Sequence, residues 1–543
     1  MKALFDPMEQ KYPSQRYPIY ARGGMVNCSS PMASAAGLEA LRNGGNAMDA
    51  AVAAAAALTV VEPTQNGIGA DAFALIWSEK DQKLFGLNAS GPAPMLASIE
   101  RILADKKDDK GKMPMKGWTP VTVPGAPAAW ATITKRFGRR SLRENLAPAV
   151  RYAREGYPLS PVIADIWRSN IVSFRKELKE DCFKAWFDTF ASPEQGMEAG
   201  DLMKLPHHAD TLEAIGESGA EAFYRGALAR KIEEDSIKHG GYIRYEDLAA
   251  FYPEWVEPIR VNYRGYEVCE IPPNGQGIVA LMALNILNQF EDLNDRDSAL
   301  TAHRQIEATK LAFADSFHYV TDPREMSLDY HRLLEPAYAR ERASLIKDRA
   351  QVYSHGTPPS GGTVYMCCAD GEGNMVSYIQ SNYKGFGSGI VVEGTGIALQ
   401  NRGWDFSLNP LDANALKPGK KTYHTIIPGF LMQEGRPVGP FGVMGGFMQP
   451  QGHVQVVSNY VDFHLNPQQA IDAPRWQWLK DGRIVVEKRF DPAVSRQLAE
   501  MGHEISLEPN TYLFGRSQMI VKLENGILVG GTESRTDSNI ACF

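Results

Sequence analysis

Apolar positions along this chain recur with two periods, and the switches between them outline its elements. Residues 1–22 read as an irregular arm, and Gly24-Met25-Val26-Asn27-Cys28 as a short strand. Pro31 to Arg42 has helical spacing and stops at Asn43-Gly44-Gly45, a C-cap and chain reversal. Asn46 is placed to cap the next helix, with Asp49 in its first turn. Ala47 to Val61 is apolar on nearly every face, which predicts a helix buried on all sides and ending before Glu62-Pro63. Phe73 to Trp77 reads as a strand, and residues 100–116, with their DKKDDKGK run, as a solvated loop. Helical periodicity marks 128–156, 207–240 and 300–318. Asp247 to Ala250 starts another element, and Tyr263 to Ile271 reads as a strand. Pro272-Pro273-Asn274-Gly275-Gln276-Gly277 then caps a helix running to about Asn288.

Ala350 to Gly362 breaks the pattern. Gly356, Pro358, Pro359, Ser360, Gly361 and Gly362 exclude a helix or central strand, so the segment reads as an exposed linker. Thr363 to Ala369 follows as a strand, Asp370 to Asn374 as a turn and Met375 to Ser381 as a second strand, which makes a hairpin. The last third is rich in strands and glycine turns, and no internal repeat appears.

Composition narrows the classes. The 543 residues are 44% hydrophobic and 22% charged, ordinary for a globular chain with a large core. A net charge of −7 without a basic stripe points away from nucleic acid. The N-terminus lacks the apolar stretch of a secretory signal, and Ala47 to Val61 is too short to span a bilayer. Cys28, Cys182, Cys269, Cys367, Cys368 and Cys542 are scattered without metal-ligand spacing, which suggests free thiols and a cytoplasmic location.

A hydroxyl nucleophile needs a base beside it at neutral pH. A threonine that begins a chain can use its own α-amino group, but here the chain starts at Met1, so such a threonine must be exposed by cleavage. Gly361-Gly362-Thr363, at a linker-to-strand boundary, meets that demand. The triplet is common and also fits a strand that merely follows a loop.

Its surroundings are more specific. Gly373-Asn374, Gly385-Phe386-Gly387-Ser388-Gly389, Gly394-Thr395-Gly396-Ile397, Asp405-Phe406-Ser407, Pro428 and Gly445-Gly446 follow Thr363 in order. Before it come Gly24-Met25-Val26, Asn43 to Ala53, Val61-Glu62-Pro63, Gly67-Ile68-Gly69, Val123-Pro124-Gly125, Pro272-Pro273 and Lys310 to Asp315. Over nearly its whole length the chain resembles the γ-glutamyltranspeptidase family. The resemblance implies an α+β fold, the four-layer αββα sandwich of N-terminal-nucleophile hydrolases. It implies a proenzyme that cuts itself between Gly362 and Thr363, leaving a large subunit 1–362 and a small subunit 363–543 intertwined in one domain. The product is a heterodimer, which in such enzymes can pair again. Acyl transfer would pass through an ester on Thr363 to act on a small-molecule amide, with no cofactor and no metal. By position, Ser381 falls where a family hydroxyl bonds the nucleophile's amino group, Gly445 and Gly446 where backbone N–H groups form the oxyanion hole, and Asp405 where the family holds a substrate α-amino group. One oxyanion donor contributes about 3 kcal/mol.

Departures from the family pattern cluster in the expected substrate pocket. Ser90 replaces the arginine that clamps the γ-glutamyl carboxylate, and a serine cannot supply a bidentate charged clamp. Tyr383 replaces an asparagine, Arg402 a glutamine, and His424-Thr425 a pair of serines. The stretch between Asp405 and His424 is too short for the lid of many members, and Ala70-Asp71-Ala72 interrupts the Gly-rich run. A positive charge has thus moved from one wall to another, and the bulk of Tyr383 and His424 favours a small substrate. Members with altered pockets include oxamate amidohydrolase, of purine catabolism, and the cephalosporin and glutaryl acylases. Oxamate, with its carboxylate held by Arg402 while Thr363 attacks the amide, is the leading substrate. A γ-glutamyl hydrolase or transferase, an acylase and an uncleaved binding protein are the alternatives.

Plainer readings stand beside these. Arg402 can pair with Asp405 or Glu393, and Tyr383 and His424 can simply pack the wall. Adjacent histidines such as His207-His208 diverge on most backbones and lack partners for a metal. Cys367 and Cys368 face opposite sides of a strand and read as core. Gly67-Ile68-Gly69 follows a helix and has no lysine, so it is not a phosphate loop.

Overall fold

The computed structural model describes residues 15–105, 111–192, 197–353, 363–479 and 481–543. Two seven-stranded sheets form its centre. One runs, edge to edge, Asn539–Cys542, Gly24–Cys28, Val364–Asp370, Met375–Ser381, Asp71–Ser78, Lys83–Ala89, Glu254–Val256. The other runs Ile19–Ala21, Leu528–Thr532, Arg516–Lys522, Arg436–Met444, Gly429–Gln433, Tyr266–Glu270, Ile259–Tyr263. Every pairing in both is antiparallel. Each sheet mixes strands from before and after residue 363, so the two stretches of chain interleave.

The period-two pattern decides which side chain enters which layer. Tyr365 and Cys367 point between the sheets, where Phe73, Leu75 and Ile379 meet Cys269, Phe430, Met444 and Ile520. Val364, Met366 and Cys368 point the other way, into the core under the helices Pro31–Arg42, Ala47–Val61 and Ala126–Phe137. Beneath the second sheet, Val268, Leu431 and Val443 pack on Gly277–Leu287, Ala299–Tyr319 and Met448–Val461. The result is the expected αββα sandwich, and the two adjacent cysteines are core residues on opposite faces.

Ala47–Val61 is buried along its whole length. Its run of alanines lets neighbours approach closely, and its one charge is answered. Asn46 and Asp49 form a reciprocal cap. The Asp49 carboxylate also accepts from the Arg139 N–H at 2.9 Å and from Asn145 Nδ2 at 2.8 Å.

Several boundaries differ from the sequence reading. Part of the expected loop at 100–116 is the helix Ile99–Asp105, and residues 106–110 lie outside the described residues. The 128–156 pattern divides into Ala126–Phe137 and Leu142–Glu155, because Gly138 ends one helix and a Ser141–Glu144 box starts the next. The 207–240 pattern divides into Pro206–Ser218, Glu221–Tyr224 and Ala227–Lys238. The expected strand Tyr263–Ile271 is a hairpin of Ile259–Tyr263 and Tyr266–Glu270. It turns on Arg264 and Gly265, at φ of 53° and 89°. Arginine is not a residue from which such a turn is read. Of the arm, Ile19–Ala21 joins a sheet edge, and residues 1–14 lie outside the described residues. So do 354–362, most of the expected linker together with Gly362. The last third also holds the helices Met448–Val461, Pro467–Asp472 and Pro492–Glu500.

A buried ion network ties this C-terminal part together. Arg475 meets Glu533 at 3.2 Å, and Arg535 bonds both Glu487 and Glu533. Arg535 also donates to the carbonyls of Ile471 and Ala473. Burial alone would raise the Glu533 carboxyl, but Arg535 and Arg475 hold it down at about 2. A carboxyl lowered on folding stabilises fully above its ordinary value, and that contribution is lost as pH falls through the folded value. Arg535→Met removes one charge and leaves two buried carboxylates under-paired. The expected cost is about 3–5 kcal/mol, measured as a lower urea midpoint at pH 7; an unchanged midpoint would contradict it.

Candidate active site

Val364 pairs with Gln380 across the hairpin, so Thr363 stands beside Ser381 at its open end. The Thr363 hydroxyl donates to Ser381 Oγ at 3.2 Å and accepts from Gln449 Nε2 at 3.3 Å. Its backbone N–H donates to Gln65 Oε1 at 3.2 Å. Gln449 is itself oriented, since its Oε1 accepts from the Ile427 N–H at 2.9 Å. Ser381 Oγ accepts from the Tyr383 N–H at 2.8 Å. Thr363, Ser381, Gln65 and Gln449 are all buried. Gly362, the other half of the expected junction, lies outside the described residues.

Gly445 and Gly446 follow the strand Arg436–Met444 and lead into the helix Met448–Val461. Their φ values of 133° and 62° are ones that side chains rarely adopt, and a Cβ on Gly445 would stand 3.1 Å from Gly515 Cα. The Gly445 carbonyl accepts from the Met448 N–H at 3.1 Å, which sets the plane carrying the Gly446 N–H. The Gly446 carbonyl accepts from Gln276 Nε2 at 2.8 Å, and the same amide donates to the Thr425 carbonyl at 2.6 Å. The two-glycine turn is thus tied to the segment bearing His424 and Thr425, just before the strand Gly429–Gln433.

Arg402, Tyr383, His424 and Thr425 come together, with Asp405 and Asp71 beside them. Arg402 Nη1 donates to Thr425 Oγ1 at 2.7 Å. Its guanidinium stands 3.6 Å from Asp71 and 3.8 Å from Asp405, and lies 4.1 Å from the centre of the Tyr383 ring. Glu393, the other partner considered, pairs with Lys238. Tyr383 sits at φ 75°, a strained setting for a bulky residue, and donates from its hydroxyl to Asp405 Oδ1 at 2.6 Å. Burial, with Asp405 beside it, drives the Tyr383 phenol well above its ordinary range, so it stays a donor. Burial likewise holds His424 well below its ordinary value, hence neutral. Its Nδ1 accepts from the Ile426 N–H, so its Nε2 carries the proton and donates to Asp71 at 3.1 Å. Burial pushes the Asp71 carboxyl up to about 7, against the pull of Arg402. Asp405, matched by resemblance to a residue that holds an α-amino group, here faces Tyr383 and Arg402. Ser90 stands behind this group: its hydroxyl donates to Asn88 Oδ1 at 2.7 Å, and it accepts from Asn274 Nδ2 at 3.2 Å.

Gln65 and Gln449 are the site residues that sequence reasoning missed, and Asp71 was noted only as an interruption of the Gly-rich run, without a role. Amides carry no charge or spacing signal. Asp71 did, as a lone charge at the head of the apolar strand Asp71–Ser78. For a metal, the described residues offer the trio His303, Glu307 and His503, with ligand atoms within 4.8 Å. The imidazoles already bond one another at 2.8 Å. Glu307 takes Lys310 Nζ at 2.7 Å, the Gln351 N–H at 3.0 Å and Tyr353 OH at 2.9 Å. The trio therefore acts as a polar clasp on residues 347–353. His208 is buried against Phe190, with Gly396 beside it, and has no metal partner among the described residues.

A family model described as Gamma-glutamyltranspeptidase matches residues 33–543. The chain is 35% identical to the glutathione hydrolase-like YwrD proenzyme of Bacillus subtilis (strain 168), over 94% of this chain and 97% of that one. It is 33% identical to the oxamate amidohydrolase proenzyme of Klebsiella pneumoniae, over 96% and 98%. The crystal structure of cephalosporin acylase from Bacillus halodurans is 53% identical, covers 100% of this chain and 99% of its own, and superposes with a TM-score of 0.96. A hydroxyl nucleophile candidate at the head of a central strand, in an αββα sandwich matched along its length by these hydrolases, places the chain in the γ-glutamyltranspeptidase family of N-terminal-nucleophile hydrolases.

Proposed function

We propose that the chain is an amide hydrolase that matures by cutting itself between Gly362 and Thr363 and then opens small carboxylate-bearing amides through an ester on Thr363. The observation that carries this is the arrangement at Thr363: a buried hydroxyl between Ser381 and Gln449, with the backbone nitrogen held by Gln65. In maturation the hydroxyl oxygen attacks the Gly362 carbonyl carbon and the acyl group shifts from nitrogen to oxygen. Water then hydrolyses the ester, freeing a carboxylate on Gly362 and an amine on Thr363. In turnover that amine takes the hydroxyl proton as Oγ1 attacks the substrate amide, and the Gly445–Gly446 turn faces the developing oxyanion. The proton leaves with the amine product, and water hydrolyses the acyl ester. The products 1–362 and 363–543 remain a heterodimer because both sheets draw on both. Free cysteines throughout support a cytoplasmic setting, and no described helix is long and apolar enough to cross a membrane.

Oxamate is the first substrate to test, supported by the 33% identical oxamate amidohydrolase proenzyme and by Arg402 over the ring of Tyr383, two residues beyond Ser381. A longer acyl group, of the kind a cephalosporin acylase removes, is the second reading. It is favoured by the pairing of Arg402 with Asp71 and Asp405. That pairing leaves the guanidinium less available to a compact anion.

On a denaturing gel the purified protein is expected to give two bands near two-thirds and one-third of its mass, and Thr363→Ala a single one. A lone wild-type band that persists on incubation would refute maturation. Ammonia release from oxamate is expected from the cleaved protein, and none from Thr363→Ala; no release from either removes oxamate. Gln449→Leu deletes a donor to the nucleophile and should lower kcat by about tenfold or more, with a smaller change in KM; equal kcat would exclude this role. Asp71 has a carboxyl raised from 3.8 to about 7. Its contribution to stability is complete below the ordinary value and is lost as pH rises through 7. Asp71→Asn should therefore lose less Tm than wild type between pH 5 and pH 8; a parallel decline would contradict the assignment.

A further inference from the structure

A pocket of about 420 Å³ opens between the helix Pro161–Glu177 and the segment Asn510–Arg516. Thr64, Asn170, Gly385, Tyr512 and Arg516 are among its walls. Three of its wall residues are chain or sheet neighbours of candidate-site residues. Thr64 precedes Gln65, which holds the Thr363 nitrogen. Gly385 lies two residues beyond Tyr383. Arg516 pairs across the sheet with Met444, which precedes Gly445.

Arg516 is the unusual group here. Its side chain is 3% exposed, yet Nε and Nη1 make no hydrogen bond. The nearest carboxylate, Glu62, stands 3.6 Å from Nη1, beyond hydrogen-bond range. The other Glu62 oxygen is taken by Ser29 Oγ at 2.5 Å. Burial raises the Glu62 carboxyl to about 7, against the pull of Arg516, so its hold on the guanidinium is weak at neutral pH. The Tyr512 ring centre lies 4.9 Å from the guanidinium carbon and braces it. Two other arginines nearby are already engaged. Arg535, on the same pocket, bonds Glu487, Glu533 and two carbonyls. Arg402 also has two nitrogens without a hydrogen bond, Nε and Nη2, but it donates to Thr425 and stands within 4 Å of two carboxylates, where Arg516 has one. Asp165, the acidic residue on the pocket wall, is exposed and turned to Arg168 at 3.3 Å. Buried donors without partners are costly, and a carboxylate matches a guanidinium edge with two oxygens.

We propose that this pocket is a carboxylate-binding subsite in which Arg516 receives the anionic end of the amide substrate. The proposal rests on the amide-hydrolase reading, and the carboxylate belongs either to the acyl group or to the departing amine. Two substrate pairs separate these sources: glutaryl against valeryl p-nitroanilide, and the acetyl amide of p-aminobenzoate against acetanilide. Wild-type enzyme should prefer the anionic member of one pair in kcat/KM. Arg516→Gln combined with Glu62→Gln, which avoids an unpaired buried carboxylate, should cut that preference by about tenfold or more. Glu62→Gln alone frees the guanidinium and should raise it, an opposite response that a structural ion pair would not give. Equal rates within both pairs, or a preference untouched by the double substitution, would overturn the proposal. If wild-type protein turns over none of the four, ammonia release from oxamate decides the amide-hydrolase reading, and calorimetry with glutarate and p-aminobenzoate decides the pocket separately. Binding lost in the double variant upholds an anion site, and no binding to wild type removes it.

Discussion

The antiparallel register of Val364–Asp370 against Met375–Ser381 is the constraint on which the site depends. It sets the Thr363 hydroxyl opposite Ser381 at the end of a strand that is paired on both sides. A one-residue slip would turn the whole strand over, sending Tyr365 and Cys367 into the helix layer and Val364 and Cys368 between the sheets. Packing of two different cores therefore enforces the position of one hydroxyl. The Gln65 and Gln449 amides come from elsewhere in the chain and meet there because the sheets hold it still.

Charge is managed differently on the two sides of that hydroxyl. Around Arg402, two carboxylates, a phenol, a hydroxyl and a neutral imidazole form a group in which each member has a partner. Such a group is rigid, and its positive charge is largely answered from within. Around Arg516 there is a single carboxylate, Glu62 at 3.6 Å, and no hydrogen bond at Nε or Nη1. The first arrangement shapes a wall, and the second leaves a cation with capacity for a ligand. Buried polar groups of both kinds are costly unless satisfied.

Much of the fold was legible because its signals are local. The Ala47–Val61 helix announced itself by apolar residues on every face and by an Asn46–Asp49 cap. The 363–381 hairpin did so by two apolar runs around Asp370-Gly371-Glu372-Gly373-Asn374. The misplaced boundaries lie where a turn uses an unexpected residue, as at Arg264, or where one helical period runs through a break, as at Gly138.

The chain's own residues thus determined the family, the layered architecture and the threonine at the head of a central strand, because motif order and periodicity are written along the sequence. The partners of that threonine were decided by tertiary structure. Gln65 and Gln449 are 298 and 86 residues away from it in sequence, and a glutamine has no charge or period to betray a role. The same holds for Arg402. Its position was readable, but its engagement by Asp71, some 330 residues upstream, existed only once the strand Asp71–Ser78 lay two places from Val364–Asp370 in the sheet. Hydrogen bonds and ion pairs depend on distances of a few ångströms, and only the folded chain sets those between residues so far apart in sequence.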